Sequence, residues 1–269
     1  MNANPPIFKR TELAQRLASQ ILANKVGSVA SSGLFLAAPR RTGKSTFMRE
    51  DLRPALEQSG AHVLYVDLWS NKATDPGEMI VSTVRAALHQ NANVMARLAR
   101  KIGVNTVAVP GVLELSLNQI GLGVAISLSD ALADLSDELK KPIVLIIDEA
   151  QHAITSDKGY DALFALKAAR DELNSSQHNG LRIVATGSNR DKLAMLRNSK
   201  EQAFFGAPLV AFPALDASFV QWFCEGVDLP APLDPEAVIA LFAKASNRPE
   251  ILGAAAEELR FDFHYHGVK

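Results

Sequence analysis

The sequence predicts an α/β protein: a parallel sheet covered by helices on both faces, with a small all-helical unit at its C-terminal end. Three observations predict it. Short apolar runs alternate with helical patterns through most of the chain. One run, Ile143-Val-Leu-Ile-Ile147, is apolar at every position, as expected of a central strand buried on both faces. After Pro213 the alternation stops and only helical patterns remain.

Taken in order, the strands are expected at Gly33–Ala38, His62–Asp67, Ile143–Asp148, Arg182–Thr186 and Leu209–Phe212. Thr11–Asn24 carries Leu13, Leu17 and Ile21 at helical spacing. Lys44–Gln58 reads as helix, with Pro54 placed to kink or end it because proline lacks the N–H the ladder uses. Pro76–Leu98 opens on Asp75-Pro76, a good N-cap and first-turn pair. Ser129–Lys140 and Tyr160–Asn174 follow. Over 104–127, Leu113, Leu115 and Leu117 alternate with Glu114, Ser116 and Asn118, and Gly121 and Gly123 come after them. That period is a strand with one wet face, and it predicts an inserted β-hairpin. The last helices are expected at Ala217–Glu225, Pro235–Ala245 and Arg248–Arg260. The expected division is an α/β domain over 1–213 and a helical lid over 214–269.

Composition narrows the function classes. The 269 residues suffice for one ordinary α/β domain and a small second one. A 48 % apolar and 21 % charged chain has the balance of a soluble globular protein. Net charge is −1, with 28 Lys+Arg against 29 Asp+Glu, and domains that chiefly grip nucleic acid are usually basic. Nucleic acid stays open as a partner through local patches, without support from net charge. Cys224 is the only cysteine, which excludes an intrachain disulfide and a Cys-rich zinc site. Met1–Pro6 has no secretory character, and the apolar runs are far shorter than the roughly 20 residues a bilayer span needs. No membrane association is expected, and the cytoplasm is the expected compartment.

The chemistry sits on three segments. In Gly33-Leu-Phe-Leu-Ala-Ala-Pro-Arg-Arg-Thr-Gly-Lys-Ser-Thr46 a strand runs into a tight loop that opens a helix. Loop amides and the positive end of a helix make a ready anion site. Pro39, Arg40, Arg41, Thr42, Gly43, Lys44, Ser45 and Thr46 are therefore the expected cradle for the phosphates of ATP or GTP. Lys44 would reach the β- and γ-phosphates, and the Ser45 hydroxyl would ligate Mg²⁺. Gly43 would let the backbone approach phosphate with no Cβ in the way. Ala38 stands where the full G-x-x-x-x-G-K-[ST] pattern begins with glycine.

Pro142-Ile-Val-Leu-Ile-Ile-Asp-Glu-Ala-Gln151 ends a buried strand in two adjacent carboxylates. At the carboxyl end of a parallel strand they face the crevice where open α/β sheets bind ligands. Asp148 is expected to hold magnesium through water, and Glu149 to polarise an attacking water. Leu181-Arg-Ile-Val-Ala-Thr-Gly-Ser-Asn-Arg190 is another strand ending in polar residues. Ser188 or Asn189 could lie between the two earlier segments and bond the γ-phosphate or the water. Trp69 and Trp222 read most simply as packing residues.

These residues resemble the archaeal-type ATPases within the AAA+ and STAND branches of P-loop NTPases, over nearly the whole chain. Ile7-Phe-Lys-Arg-Thr-Glu-Leu13 is similar to the family's N-terminal segment beside the adenine. Ala38-Pro-Arg-Arg-Thr-Gly-Lys-Ser45 resembles its Walker A, Ile147-Asp-Glu-Ala-Gln151 its Walker B, and Thr186-Gly-Ser-Asn189 its sensor-1 strand end. Phe204-Phe-Gly-Ala-Pro-Leu209 is similar to a segment where the family often has Phe-Gly-Arg, with Ala207 in place of the arginine. Ser246-Asn-Arg-Pro249 resembles the Gly-x-Pro of the lid. The resemblance implies a sheet in which the Walker A and Walker B strands are not adjacent. It also implies that Arg248 could sense nucleotide in cis, and that Arg190 or Arg197 would have to stand in for the missing arginine. The expected function is a Mg²⁺-dependent ATPase acting as a switch or motor subunit on a protein partner, with a homo-oligomer open. The alternative is a nucleotide-gated scaffold with little turnover; a small-molecule kinase would need an acceptor site that the sequence does not display.

Overall fold

The computed structural model describes residues 6–23, 32–101, 126–175, 177–199, 201–229 and 231–266. The hairpin expected over 104–127 lies outside them except for Ile126 and Ser127.

Five parallel strands form one sheet among the described residues: β1 (Leu34–Ala37), β2 (His62–Asp67), β3 (Ile143–Asp148), β4 (Leu181–Gly187) and β5 (Leu209–Ala211). Their order is β2-β3-β4-β1-β5, so β4 separates β1 from β3 as expected. Every position of β3 is buried. The alternation of side chains along it feeds two cores. Ile143, Leu145 and Ile147 join one apolar cluster, and Val144 and Ile146 join the other.

The second cluster is covered by α1 (Thr11–Leu22), α2 (Lys44–Phe47) and α3 (Arg53–Gln58). The helix after the phosphate loop neither ends nor breaks at Pro54. It passes through a π-turn, Met48–Leu52, and continues as α3. Proline has no N–H to offer the preceding turn, and the Glu50 carbonyl accepts instead from Lys9 Nζ at 2.8 Å.

The first cluster is covered by α4 (Pro76–His89), α5 (Ala92–Lys101), α6 (Leu128–Leu139) and α7 (Asp157–Ser175). The single helix expected over Pro76–Leu98 is thus two. At the break the Asn91 side chain donates to the Ala87 carbonyl at 2.9 Å. The apolar pattern runs straight across it through Leu88, Val94, Met95 and Leu98. Asp75 caps α4 by accepting from the Gly77 amide at 2.8 Å.

Gly77 is where α4 crosses the start of α7. A Cβ there would come closer than 3.0 Å to the Lys158 carbonyl, which is backbone and cannot rotate away. Gly77→Ala is expected to lower stability by about 1–3 kcal/mol, read as a lower urea midpoint at unchanged m-value. An unchanged midpoint would mean that the crossing opens freely.

After α8 (Arg190–Ala194) and β5, three helices gather around a separate apolar cluster: α9 (Ala217–Gly226), α10 (Pro235–Lys244) and α11 (Pro249–His266). Leu215, Phe219, Val220, Val238, Phe242 and Leu252 form it. Arg10 ties this unit to the sheet. Its guanidinium donates to the carbonyls of Pro213 (2.8 Å) and Ala214 (3.0 Å) and lies over the rings of Phe212 and Phe47.

Candidate active site

The carboxyl ends of β1, β3 and β4 meet on one edge, because the register sets Ala37 opposite Gly187 and Ile147 opposite Ala185. The loop after β1 turns through two left-handed residues, Arg41 (φ 63°) and Gly43 (φ 79°). At Gly43 an added Cβ would meet only Leu215 Cδ1 at 3.9 Å. Glycine is thus favoured there by φ, and no protein atom crowds the position. Thr42 Oγ1 closes the loop on the Pro39 carbonyl at 2.9 Å, and the Phe47 amide on the Gly43 carbonyl starts the helix.

Lys44, the first residue of α2, is buried and faces two carboxylates. Its Nζ is 2.9 Å from Glu149 Oε1 and 3.6 Å from Asp148 Oδ1. Asp148, fully buried, accepts at Oδ1 from the Thr186 hydroxyl and the Glu149 amide and at Oδ2 from the Tyr65 hydroxyl. Burial and the adjacent Asp148 charge push the Tyr65 hydroxyl above its ordinary pKa, so it stays a donor. Glu149 stands in a left-handed conformation (φ 54°). Its Oε2 accepts from the hydroxyl (2.7 Å) and amide (3.3 Å) of Ser188 and from the Gln151 side chain. Burial alone would raise the Glu149 carboxyl; the bonds from Lys44 and Ser188, with the Lys44 charge, overcome it and bring the pKa to about 2.

Of the residues on the third segment, Ser188 meets the other two. Asn189 points its side chain at the Lys192 amide (2.9 Å) as the N-cap of α8, and Arg190 is exposed on that helix's first turn. Arg40 lies over the Trp69 ring, 5.0 Å from its centroid, with Nε 3.5 Å from Ser188 Oγ. Arg41 pairs with Glu250 in the first turn of α11 at 2.8 Å, and Arg248 lies 4.0 Å from that same carboxylate. Pro39, Arg40, Arg41, Gly43, Lys44, Ser45, Thr46, Asp67, Trp69 and Glu149 line a cleft of about 300 Å³. A second cavity of about 210 Å³ adjoins it at Gly43 and Thr46, walled by Ile7, Phe8, Leu215, Phe219 and Trp222.

Sequence reasoning missed Gln151, Tyr65 and Glu250, and took Trp69 for a packing residue. Trp69 is 39 % exposed in the cleft. Gln151 carried a signal, since it sits two residues past Glu149 at a strand end. Glu250 carried none, because its partner Arg41 is 209 residues away. Ala207 is fully buried in the first apolar cluster, where a small apolar side chain fits.

No protein-family model matches the chain, and no curated protein matches it. Solved structures do. A Walker-type ATPase of Pyrococcus abyssi superposes with a TM-score of 0.56 at 19 % identity, over 90 % of this chain and 66 % of that one. The Aeropyrum pernix ORC1 protein, solved in complex with DNA, gives 0.50 at 18 % identity over 96 % of this chain and 62 % of that one. The ORC2 protein of the same organism in its ADP form gives 0.50 at 18 % identity, over 83 % and 53 %. This chain therefore spans less than two thirds of the length of each. No helix among the described residues is long and apolar enough to cross a membrane. At such identities the likeness is one of architecture, and the chain has the fold of the archaeal-type AAA+ P-loop ATPases that its motifs resemble.

Proposed function

We propose that the chain binds Mg²⁺-ATP in the cleft at the carboxyl ends of β1, β3 and β4 and hydrolyses it. The observation that carries this reading is the meeting of Lys44 and Ser188, from two other segments, on the two oxygens of Glu149. Amides of the loop over Arg40–Ser45, at the start of α2, would hold the phosphates, and Lys44 would leave Glu149 for the β- and γ-oxygens. The apolar cavity walled by Phe8, Phe219 and Trp222 suits the adenine.

The donors fit magnesium. Among the described residues no group of three or more His, Cys, Asp or Glu side chains gathers into a metal cage. Ser45 and Asp148 offer hard oxygens, and both Asp148 oxygens already accept from protein donors. That suits an ion that keeps several of its waters and takes one or two protein oxygens besides the phosphates. When bound, it neutralises charge on the phosphate oxygens.

The chemistry assigned to the chain itself is then simple. Glu149 takes the proton of a water whose oxygen attacks the γ-phosphorus as the bond to the β-phosphate oxygen breaks, giving ADP and phosphate. Ser188 and Gln151 orient that carboxylate. While Lys44 bonds to it, Glu149 is a weak base, its carboxyl lowered by that bond, by Ser188 and by the Lys44 charge. Transfer of Lys44 to phosphate would remove the Lys44 part of that lowering, so binding would itself help to prepare the base.

The wider role is proposed as a switch or motor subunit whose lid, residues 214–269, senses nucleotide through Arg248, Glu250 and Arg41 and passes the change to a protein partner or a second copy. The ORC1 neighbour was solved with DNA, and net charge −1 gives no support to tight DNA binding by one copy. The restrained Glu149 also favours a second reading, a nucleotide-gated scaffold with slow turnover.

Fluorescent-nucleotide titration beside phosphate release tests the proposal. The wild-type chain is expected to bind an ATP analogue, to release phosphate, and to lose release when EDTA removes magnesium. Binding without any release would leave the scaffold reading; no binding would end both.

A further inference from the structure

The two arginines before Thr42 part company. Arg41 is spent on Glu250. Arg40 lines the same cleft, and among the described residues no carboxylate pairs with it. What holds it is Trp69. That ring carries a second cation, with Lys72 Nζ 4.2 Å from its centroid, and the His152 ring packs 4.3 Å away. A guanidinium held by an aromatic face keeps its whole charge for an incoming anion, whereas one held by a carboxylate has to give up a partner first.

The place matters as much as the charge. Arg40 Nε is 3.5 Å from Ser188 Oγ, and that hydroxyl donates to Glu149, whose other oxygen meets Lys44. Lys44 thus meets one oxygen of Glu149, and Arg40 lies beside the hydroxyl that meets the other. The other candidates are less well placed. Position 207 is buried alanine, and Arg197 donates to its neighbour Asn198.

We propose that Arg40 is the catalytic arginine of this site, supplied in cis: its guanidinium stabilises the charge on the γ-phosphoryl group during transfer, and Trp69 is the positioning residue that keeps it there. The assignment rests on the hydrolytic reading above. It makes each chain complete for hydrolysis, whatever its oligomeric state.

The test compares wild type, Arg40→Ala, Arg40→Lys, Trp69→Ala and Trp69→Phe by ATP-analogue titration and steady-state phosphate release. Arg40→Ala is expected to lower kcat by about 10³-fold, the low end for a transition-state arginine, with affinity changed about threefold or less. Arg40→Lys should recover little of this, because an ammonium lacks the planar fork. Trp69→Ala should lower kcat roughly five- to tenfold at unchanged KM, the size of one partly exposed cation–π contact, and Trp69→Phe should restore most of it. Specific activity should not vary with protein concentration. Arg40→Ala turning over at the wild-type rate would overturn the assignment. So would rescue of Arg40→Ala by added Glu149→Gln protein, which would place the working arginine in a second copy. A wild type that releases no phosphate would instead overturn the hydrolytic reading, and this assignment with it.

Discussion

Glu149→Gln is expected to hold ATP and stop its turnover. The substitution removes the proton acceptor and keeps the shape, and such a loss typically lowers rate by about 10²–10⁴-fold. The amide can still accept from Ser188 at its oxygen, so the strand end should not collapse. Affinity should rise slightly, because Lys44 no longer has to leave a 2.9 Å ion pair before it meets phosphate. Phosphate release and nucleotide titration on the same preparation read the two halves. Undiminished turnover would remove Glu149 as the base; a large loss of affinity would mean that its charge holds the loop open.

Lys44→Ala should do two things at once. Loss of a charge-assisted phosphate contact of roughly 1.5–3 kcal/mol lowers ATP affinity about 10- to 150-fold. The protein without nucleotide should also lose stability, since Asp148 and Glu149 are left side by side in a buried cluster with only neutral donors bonded to them. Breaking a buried pair from one side costs about 3–5 kcal/mol, and Glu149 is partly exposed, which points to the lower end.

The pH dependence carries a sign. A carboxyl lowered in the folded state stabilises the fold above its unfolded pKa, near 4.5, and that contribution is lost as pH falls towards the folded value of about 2. The wild type should therefore lose stability over that window, and Lys44→Ala less so. The gap between their urea midpoints should narrow between pH 7 and pH 3. A Lys44→Ala/Glu149→Gln double variant should recover much of the stability but none of the affinity. A gap independent of pH would place the lost stability elsewhere.

Much of this was legible because burial writes itself into composition. β2 and β3 run over the residues that the apolar patterns give, His62–Asp67 and Ile143–Asp148. The separation of β1 from β3 followed from the motif resemblance. Hydrophobic periodicity reports which side faces the core and is blind to where the backbone ladder is interrupted. It therefore passed over the break at Gln90–Asn91, where the buried face continues, and over the π-turn, whose stray carbonyl is met by Lys9, 41 residues away. In the site, Lys44 and Glu149 were legible because each ends or begins an element. Arg40 was grouped with its neighbours because sequence does not say which way a loop side chain turns. Trp69 looked like packing because an aromatic ring is apolar whether it fills a core or holds a cation.

Arg10 can also be considered as a piece of machinery. It pins the short stretch through Pro213 and Ala214 from which the three last helices hang, gripping two carbonyls and two rings at once. α11, 18 residues long, is a rod of about 27 Å at 1.5 Å per residue. A rod of that length turning through about 10° moves its tip by roughly 5 Å, the rise of one helical turn. Phe261, 70 % exposed, lies towards that tip. If the lid acts as the proposed switch, a turn of about 10° where Glu250 meets Arg41 would be geared up into a stroke of that length at Phe261.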